Sequence, residues 1–164
     1  IQFFSFVIGG ICGCNNKNIN SCNVNNLTMT VSGNAGGIVG KNIGTISSCH
    51  VKNSSITYVY YNPEIPNNYS AYNGNIGGLC GYNLGTITDS STNGNMYWYN
   101  ISDKNRDIYP SLGLLIGQNA GIYSGCSSTM YHEIKYFYWN FIGWYDQSGR
   151  CFKVDNGMVG YQPE

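Results

Sequence analysis

The segment Gly77-Gly78-Leu79-Cys80-Gly81-Tyr82-Asn83-Leu84-Gly85-Thr86-Ile87 decides the fold, because copies of it recur along the chain. The best copy is 36–46, and shorter or looser copies begin at Gly9, Gly113 and Gly157. Recurrence of one short motif is typical of solenoid proteins, in which each repeat stacks on its neighbours. The segment is therefore interpreted first as an architectural unit.

The copies are separated by unequal intervals, which predicts one regular face and another face that accepts insertions. We expect an all-β chain, a β-solenoid (β-helix) of about four to five irregular rungs with inserted loops and essentially no long helix. Residues 1–164 are predicted to form a single β-solenoid domain. This prediction is compatible with a longer repeat array of which these residues are one segment. The predicted repeat motifs lie near 8–22, 35–49, 76–90, 112–126 and 156–162.

Equivalent positions of the copies form columns that would stack from rung to rung. Three columns are mainly apolar and predict the core: Ile11, Ile38, Leu79, Leu115 and Met158; Cys12, Val39, Cys80, Ile116 and Val159; Ile19, Ile46, Ile87 and Tyr123. A polar column consists of Asn15, Asn42, Asn83 and Asn119. At a spacing of ~4.8 Å, stacked asparagines can bond to one another along the axis.

Composition excludes some partners and favours an extracellular location. Charged residues make up 10% of the chain and the formal net charge is zero, so a nucleic-acid partner, which requires a basic surface, is not expected. The apolar segment 1–8 is too short to span a bilayer. Seven cysteines in a loop-rich chain favour an oxidising compartment. Four Asn-x-Ser/Thr triplets predict N-linked glycans at Asn26, Asn53, Asn68 and Asn100.

Cys22 and Cys49 occupy one column on neighbouring rungs. Their expected Cα separation of ~4.8 Å lies within the disulfide range, so we predict a bridge between them. Cys126 occupies the same column further along, and Cys151 is its nearest candidate partner in sequence. Because the cysteine count is odd, at least one thiol remains.

No arrangement of residues predicts catalysis, a metal ion or a cofactor. Cys12-Gly13-Cys14 supplies one closely spaced pair of ligands, whereas structural zinc sites use four convergent ones. No two carboxylates share a column of the repeat, so a pair for acid–base chemistry is not evident. We therefore expect a protein that is not an enzyme.

Segments 36–49 and 77–90 resemble the GLUG repeat, which is found in bacterial surface peptidases and in large surface proteins of microbial eukaryotes. The match is specific in two copies, partial in two and truncated in the last, and it does not cover the Tyr-rich insertions. The resemblance implies a β-solenoid used as a stalk or adhesive surface, and it carries no catalytic residue across.

The functional prediction is a structural subunit of a secreted, extracellular or cell-surface assembly of a microbial eukaryote, joined end to end. Its partner would be another copy of the chain, in a head-to-tail polymer, or further repeats of the same chain. The residues predicted for self-association are Ile1, Phe3, Phe4, Phe6, Met158 and Tyr161.

Two alternatives remain open at this point. A carbohydrate-binding or carbohydrate-active β-helix would use surface aromatic residues, namely Tyr58, Tyr60, Tyr97, Trp98, Tyr99, Tyr136, Tyr138 and Trp139. A passive stalk module of a larger surface enzyme would have no site of its own.

Overall fold

The computed structural model describes residues 2–3, 7–31, 33–60, 74–101, 111–138, 141–143 and 155–163. These residues form β-strands and turns, with no helix among them. The prediction of an all-β chain is confirmed, and the parallel sheets described below are consistent with a β-solenoid.

The strands follow one another in four similar passes, each of which contributes at least one strand to each of four sheets. Strand β1 is Gln2–Phe3. The first pass contains β2 (Val7–Gly9), β3 (Cys12–Asn15), β4 (Asn18–Asn20), β5 (Asn23–Asn25) and β6 (Thr28–Val31). The second contains β7 (Asn34–Gly36), β8 (Val39–Asn42), β9 (Thr45–Ser47) and β10 (His50–Tyr60). The third contains β11 (Asn75–Gly77), β12 (Cys80–Asn83), β13 (Thr86–Thr88) and β14 (Ser91–Ile101). The fourth contains β15 (Ser111–Gly113), β16 (Ile116–Asn119), β17 (Ile122–Ser124) and β18 (Ser127–Tyr138), and it is followed by β19 (Phe141–Gly143) and β20 (Val159–Tyr161).

Each pass crosses the sheets in the same order, here named B, C, D and A. Sheet B has the order β15-β11-β7-β2, sheet C β20-β16-β12-β8-β3 and sheet D β17-β13-β9-β4. Sheet A has the order β1-β6-β10-β14-β18-β19, with β5 also paired to β10. All pairings are parallel except that of β18 with β19, which is antiparallel. Strands of equal position in consecutive passes are therefore neighbours.

The predicted insertions fall at one place in each pass. The regular parts, 7–31, 34–60, 75–101 and 111–138, are nearly equal in length. The additional residues lie between the end of a sheet A strand and the next sheet B strand, and include 61–73 and 102–110, outside the described residues. The intervals between motifs are therefore unequal, while the strands of consecutive passes keep the same register.

The predicted columns are confirmed by the strand register. Cys12 pairs with Val39, Val39 with Cys80 and Cys80 with Ile116. The column that begins at Ile19 continues in the same way through Ile46, Ile87 and Tyr123. Parallel in-register stacking places identical motif positions above one another, so the sequence repeat becomes a spatial repeat.

The interior contains two apolar clusters. The first lies between sheets C and D and the beginning of sheet A, and includes Ile19, Ile38, Val39, Ile46, Cys49, Val51, Leu79, Cys80, Ile87, Leu115, Ile116 and Val159. The second lies between sheet B and the remainder of sheet A, and includes Met29, Val31, Ala35, Ile56, Tyr58, Ile76, Met96, Trp98, Leu112 and Met130. Burial of these side chains provides the main stabilisation of the fold.

The glycines of the motif allow sheets B and C to approach closely. A Cβ atom on Gly81 would lie 2.5 Å from the backbone oxygen of Gly40 and 2.6 Å from that of Asn75. Because both contacts are to backbone atoms, a side chain cannot be accommodated by a rotamer change. The motif therefore requires glycine for close backbone packing.

Candidate functional site: the polar columns and the open edge

The four asparagines predicted to stack form a continuous buried ladder. The Nδ2 of Asn15 donates to the Oδ1 of Asn42, that of Asn42 to Asn83, and that of Asn83 to Asn119, each at 2.8 Å. All four side chains are buried. Each Nδ2 also donates to the backbone oxygen two residues further along, at 3.0–3.2 Å. The ladder both closes the turn within each pass and joins neighbouring passes.

The ladder has one direction. The backbone N–H of Lys17 donates to the Oδ1 of Asn15 at 3.1 Å, and that of Gly85 to the Oδ1 of Asn83 at 3.2 Å. A backbone N–H can only donate, so these contacts identify the side-chain oxygens. The amide groups of Asn15, Asn42 and Asn83 consequently each donate to the asparagine oxygen of the following pass.

A second polar column consists of Cys22, Cys49, Ser90 and Cys126. Their side chains donate to the backbone oxygens of Asn20, Ser47, Thr88 and Ser124, at 3.5, 3.2, 2.7 and 3.2 Å. The backbone N–H of Cys22 donates to the Sγ of Cys49 at 3.4 Å, and that of Cys49 to the Oγ of Ser90 at 3.1 Å. The Ser90 hydroxyl therefore makes the same kind of hydrogen bonds, to its own turn and to the preceding pass, that the thiols make elsewhere in the column.

The predicted bridge between Cys22 and Cys49 is not formed in the structure, where both are free thiols. The two residues do stack on neighbouring passes, but each thiol is directed at a carbonyl of its own turn. The bond itself stays a prediction about the oxidised protein. Cys126 is also a free thiol, and Cys151, its predicted partner, lies outside the described residues.

The remaining cysteines differ in exposure. Cys80 is buried and Cys14 is exposed. Burial raises the pKa of the Cys80 thiol well above its ordinary value, and desolvation likewise raises the pKa of Cys49 and Cys126. Buried thiols with a raised pKa are poor nucleophiles, so these groups act as core or turn residues.

The described residues contain no cluster of three or more potential metal ligands. Cys14 is exposed, while the Nδ1 of His50 lies 2.8 Å from the Oγ of Ser91. The Tyr123 hydroxyl donates to Oδ2 of Asp155 at 2.9 Å. Desolvation, with a further contribution from this hydrogen bond, raises the pKa of Tyr123 to about 12.

Two of the four predicted glycosylation residues occupy equivalent bends in sheet A. Asn26 and Asn53 are exposed, with positive φ angles of 57° and 51°. Asparagine is one of the few non-glycine residues that adopts this conformation readily, so these positions also have a local structural reason for asparagine. Asn100 lies in β14, and Asn68 lies outside the described residues. Attachment of glycans stays a prediction.

Two of the aromatic residues proposed for a sugar-binding surface are buried instead. Tyr58 and Trp98 are 1% exposed and belong to the second apolar cluster. Tyr97 and Tyr99 lie on the outer face of β14 with parallel rings, 6.1 Å between centroids. Tyr60, Tyr136 and Tyr138 lie in strands, and Trp139 lies outside the described residues.

The residues predicted for self-association are only partly described. Ile1, Phe4 and Phe6 lie outside the described residues. Phe3 pairs with Val31 through β1, and Tyr161 pairs with Gln118 through β20. Met158 is half-buried against the first apolar cluster. These placements leave self-association through these side chains a prediction.

The structure adds Ile11 to the residues of interest. Its column mates Ile38, Leu79 and Leu115 are fully buried, whereas Ile11 is 47% exposed. Its backbone N–H donates to the oxygen of Ile38 at 3.0 Å, so it continues the stacking. The motif alignment contained the signal, because Ile11 is the first member of an apolar column. Among the described strands, none pairs with the outer side of β3, and we call this side, with Ile11 and Asn15, the open edge.

Comparisons with protein-family models, curated proteins and solved structures found no match to this chain. The described part of the chain also has no helical segment with the length and hydrophobicity that a membrane crossing requires. The functional argument consequently depends on the polar columns and the open edge.

Proposed function

We propose that the chain is a β-solenoid of the GLUG type that serves as a structural element of a secreted or cell-surface assembly of a microbial eukaryote. Copies join end to end, and the surface carries N-linked glycans. No catalytic role, cofactor or metal is part of the proposal. The observation that supports it best is the exposed Ile11 at the open edge, in a column whose three central members are fully buried.

Edge chemistry supports association. An unpaired strand presents backbone N–H and C=O groups that can pair with another strand. Natural proteins often protect such edges with charge, yet residues 11–16 contain no charged side chain. The formal net charge of zero also means that copies do not repel one another strongly.

Glycans at Asn26 and Asn53 would project from one side of neighbouring passes, because these residues are equivalent in sheet A. They would shield that side and leave the ends for protein contacts. Mass spectrometry of protein from the native source, before and after glycosidase treatment, tests this part of the proposal. Unmodified peptides containing both asparagines would exclude it.

The assembly itself is tested by sedimentation velocity over a wide concentration range, together with electron microscopy of negatively stained protein. We expect concentration-dependent oligomers and linear particles whose width is that of one chain. A monomer at every concentration would refute the proposed association.

A further inference from the structure

Among the described strands, β3 and β20 each have an unpaired side at the ends of sheet C, as do β1 and β19 at the ends of sheet A. In the described chain, β3 and β20 are the outermost strands of sheet C. In sheet A, β1 covers β6, and β19 covers β18 in antiparallel orientation. The unpaired sides of β3 and β20 can therefore accept a further parallel strand.

The apolar column next to sheet C is also incomplete at the open edge. The column consists of Ile11, Ile38, Leu79, Leu115 and Met158, stacked through backbone hydrogen bonds of 2.9–3.0 Å. Only Ile11 has large exposure, 47% against zero for the three central residues. An apolar side chain stacked on Ile11 would remove this area from water.

The direction of the asparagine ladder determines which group can follow it. The Oδ1 of Asn15 faces the position of a preceding pass, and within the chain each such oxygen accepts an amide proton from that side. A matching group must be a donor. At the opposite end of sheet C, the equivalent position after β20 is the exposed carboxamide of Gln162.

We propose that β20 of one copy pairs in parallel register with β3 of the next copy. Continuing the register places Val159 opposite Cys12 and Tyr161 opposite Cys14. Met158 then stacks on Ile11, and the Gln162 amide donates to the Oδ1 of Asn15. This inference rests on the proposed end-to-end association and specifies its strands, register and polarity.

The same chemistry disfavours a head-to-head contact. Two open edges facing each other would bring two Asn15 oxygen acceptors together, with no amide proton between them. Each oxygen would keep the Lys17 N–H as its donor but would gain no partner across the contact. Joining a donor end to an acceptor end adds a hydrogen bond across the contact and produces an open, linear polymer.

The first test replaces an apolar residue of the proposed contact with a charge. Ile11→Lys places an ammonium group at the open edge, while Ile43→Lys is the matched control, since Ile43 is 50% exposed outside the edge column. We expect Ile11→Lys to weaken association about 100-fold or more, because an unpaired charge would be buried. Ile43→Lys should associate as the unmodified protein does. Both dissociation constants are measured by sedimentation velocity.

The second test reads the register and polarity by crosslinking, and it remains informative if Ile11→Lys fails to fold. Tyr161→Cys places a thiol opposite Cys14 of the next copy, whose own side chain is exposed. Gln118→Cys is the control, because its position in the column is flanked by Tyr82 and Tyr161 of the same chain. Under mild oxidation, we expect a ladder of covalent oligomers with Tyr161→Cys alone, and peptide mapping should find the 14–161 bond.

The possible outcomes distinguish failure of the proposed β20–β3 contact from failure of end-to-end association in general. Failure of the unmodified protein to associate at any concentration would overturn both, as expected if a preceding segment of a longer chain covers the open edge. Association that is equally weakened, or equally unaffected, by the two lysine variants would overturn only the proposed contact. Links between Cys14 of two copies in the unmodified protein would show head-to-head association and overturn the polarity.

Discussion

At the residue scale, the asparagine ladder is the feature on which neighbouring passes depend. Asn83 donates to Asn119 and to the backbone oxygen of Gly85, and it accepts from Asn42 and from the Gly85 N–H. Because the side chain of Asn83 is buried, its amide group cannot form hydrogen bonds with water instead. A fully satisfied buried network of this kind favours one register over others.

Asn83→Ala should lower the free energy of unfolding by about 3 kcal/mol, because it leaves the buried amide of Asn42 and the oxygen of Asn119 without their partners. Asn16→Ala is the control, since Asn16 is exposed beside the ladder and should cost less than about 0.5 kcal/mol. Urea denaturation measures both. Equal losses in the two variants would contradict a structural role for the ladder.

Buried thiols should make the fold sensitive to alkali. Burial raises the pKa of Cys80 above its ordinary value of 9.0, and that of Cys49 in the same direction. Above pH 9 the unfolded chain loses these protons while the folded chain retains them, so stability is complete below pH 9 and declines as pH rises. The urea midpoint should fall between pH 8 and 10.5.

Cys80→Val isolates this effect, because Val39 occupies the same column in the preceding pass. The variant should fold and show a smaller decline in midpoint with pH, whereas Cys14→Ser, at an exposed position, should retain the slope of the unmodified protein. An unchanged slope in Cys80→Val would mean that other groups cause the alkaline sensitivity.

At the scale of the elements, sheets B and C depend on glycines that allow two backbones to touch. Gly81 has a neighbouring pass on each side, whereas Gly13, at the equivalent position of the first pass, lies at the open edge. Gly81 meets backbone atoms of Gly40, Asn75 and Ala35 within 2.8 Å of an added Cβ, while Gly13 has a single contact that close, with the oxygen of Val7.

Gly81→Ala should therefore cost about 3 kcal/mol or prevent folding, because the surrounding atoms belong to the backbone and cannot rotate away. Gly13→Ala introduces the same methyl group at the equivalent position of the first pass and should be clearly less harmful. Thermal denaturation followed by circular dichroism compares the two. A larger effect at Gly13 than at Gly81 would contradict this account of the packing.

At the scale of the whole molecule, each pass contacts mainly the passes on either side of it. Stability in such an arrangement is approximately a sum of terms for each pass and for each neighbouring pair. Counting only the strands that the structure describes, the first pass has a neighbour on one side in sheet C, while the second and third have neighbours on both. Opening should therefore begin at the open edge.

Hydrogen exchange should show this gradient directly. In dilute protein, the amides of 12–15 should exchange faster than those of 39–42 and 80–83, because local opening of the outer pass requires less free energy. At concentrations where oligomers form, protection of 12–15 should increase while that of the interior strands stays constant. Protection at 12–15 that is independent of concentration would argue against an interface there.

The sequence by itself determined which residues share a column. Repetition of the motif aligned Ile11 with Ile38, and Asn15 with Asn42, and parallel in-register pairing reproduces these alignments. The all-β class and the location of the insertions follow from the same pattern. This was possible because stacking of identical units converts equal sequence positions into equal positions in space.

Only the tertiary structure decided which members of a column are buried. Met96 and His132 occupy one column, yet Met96 is 1% exposed and His132 is exposed. Tyr58 and Trp98 point inwards, the thiols of Cys22 and Cys49 point at their own turns, and the asparagine amides all point in one direction. The orientation of each of these side chains depends on the atoms that it contacts in another sheet or another pass. The repeat pattern within one segment of the chain does not specify those contacts.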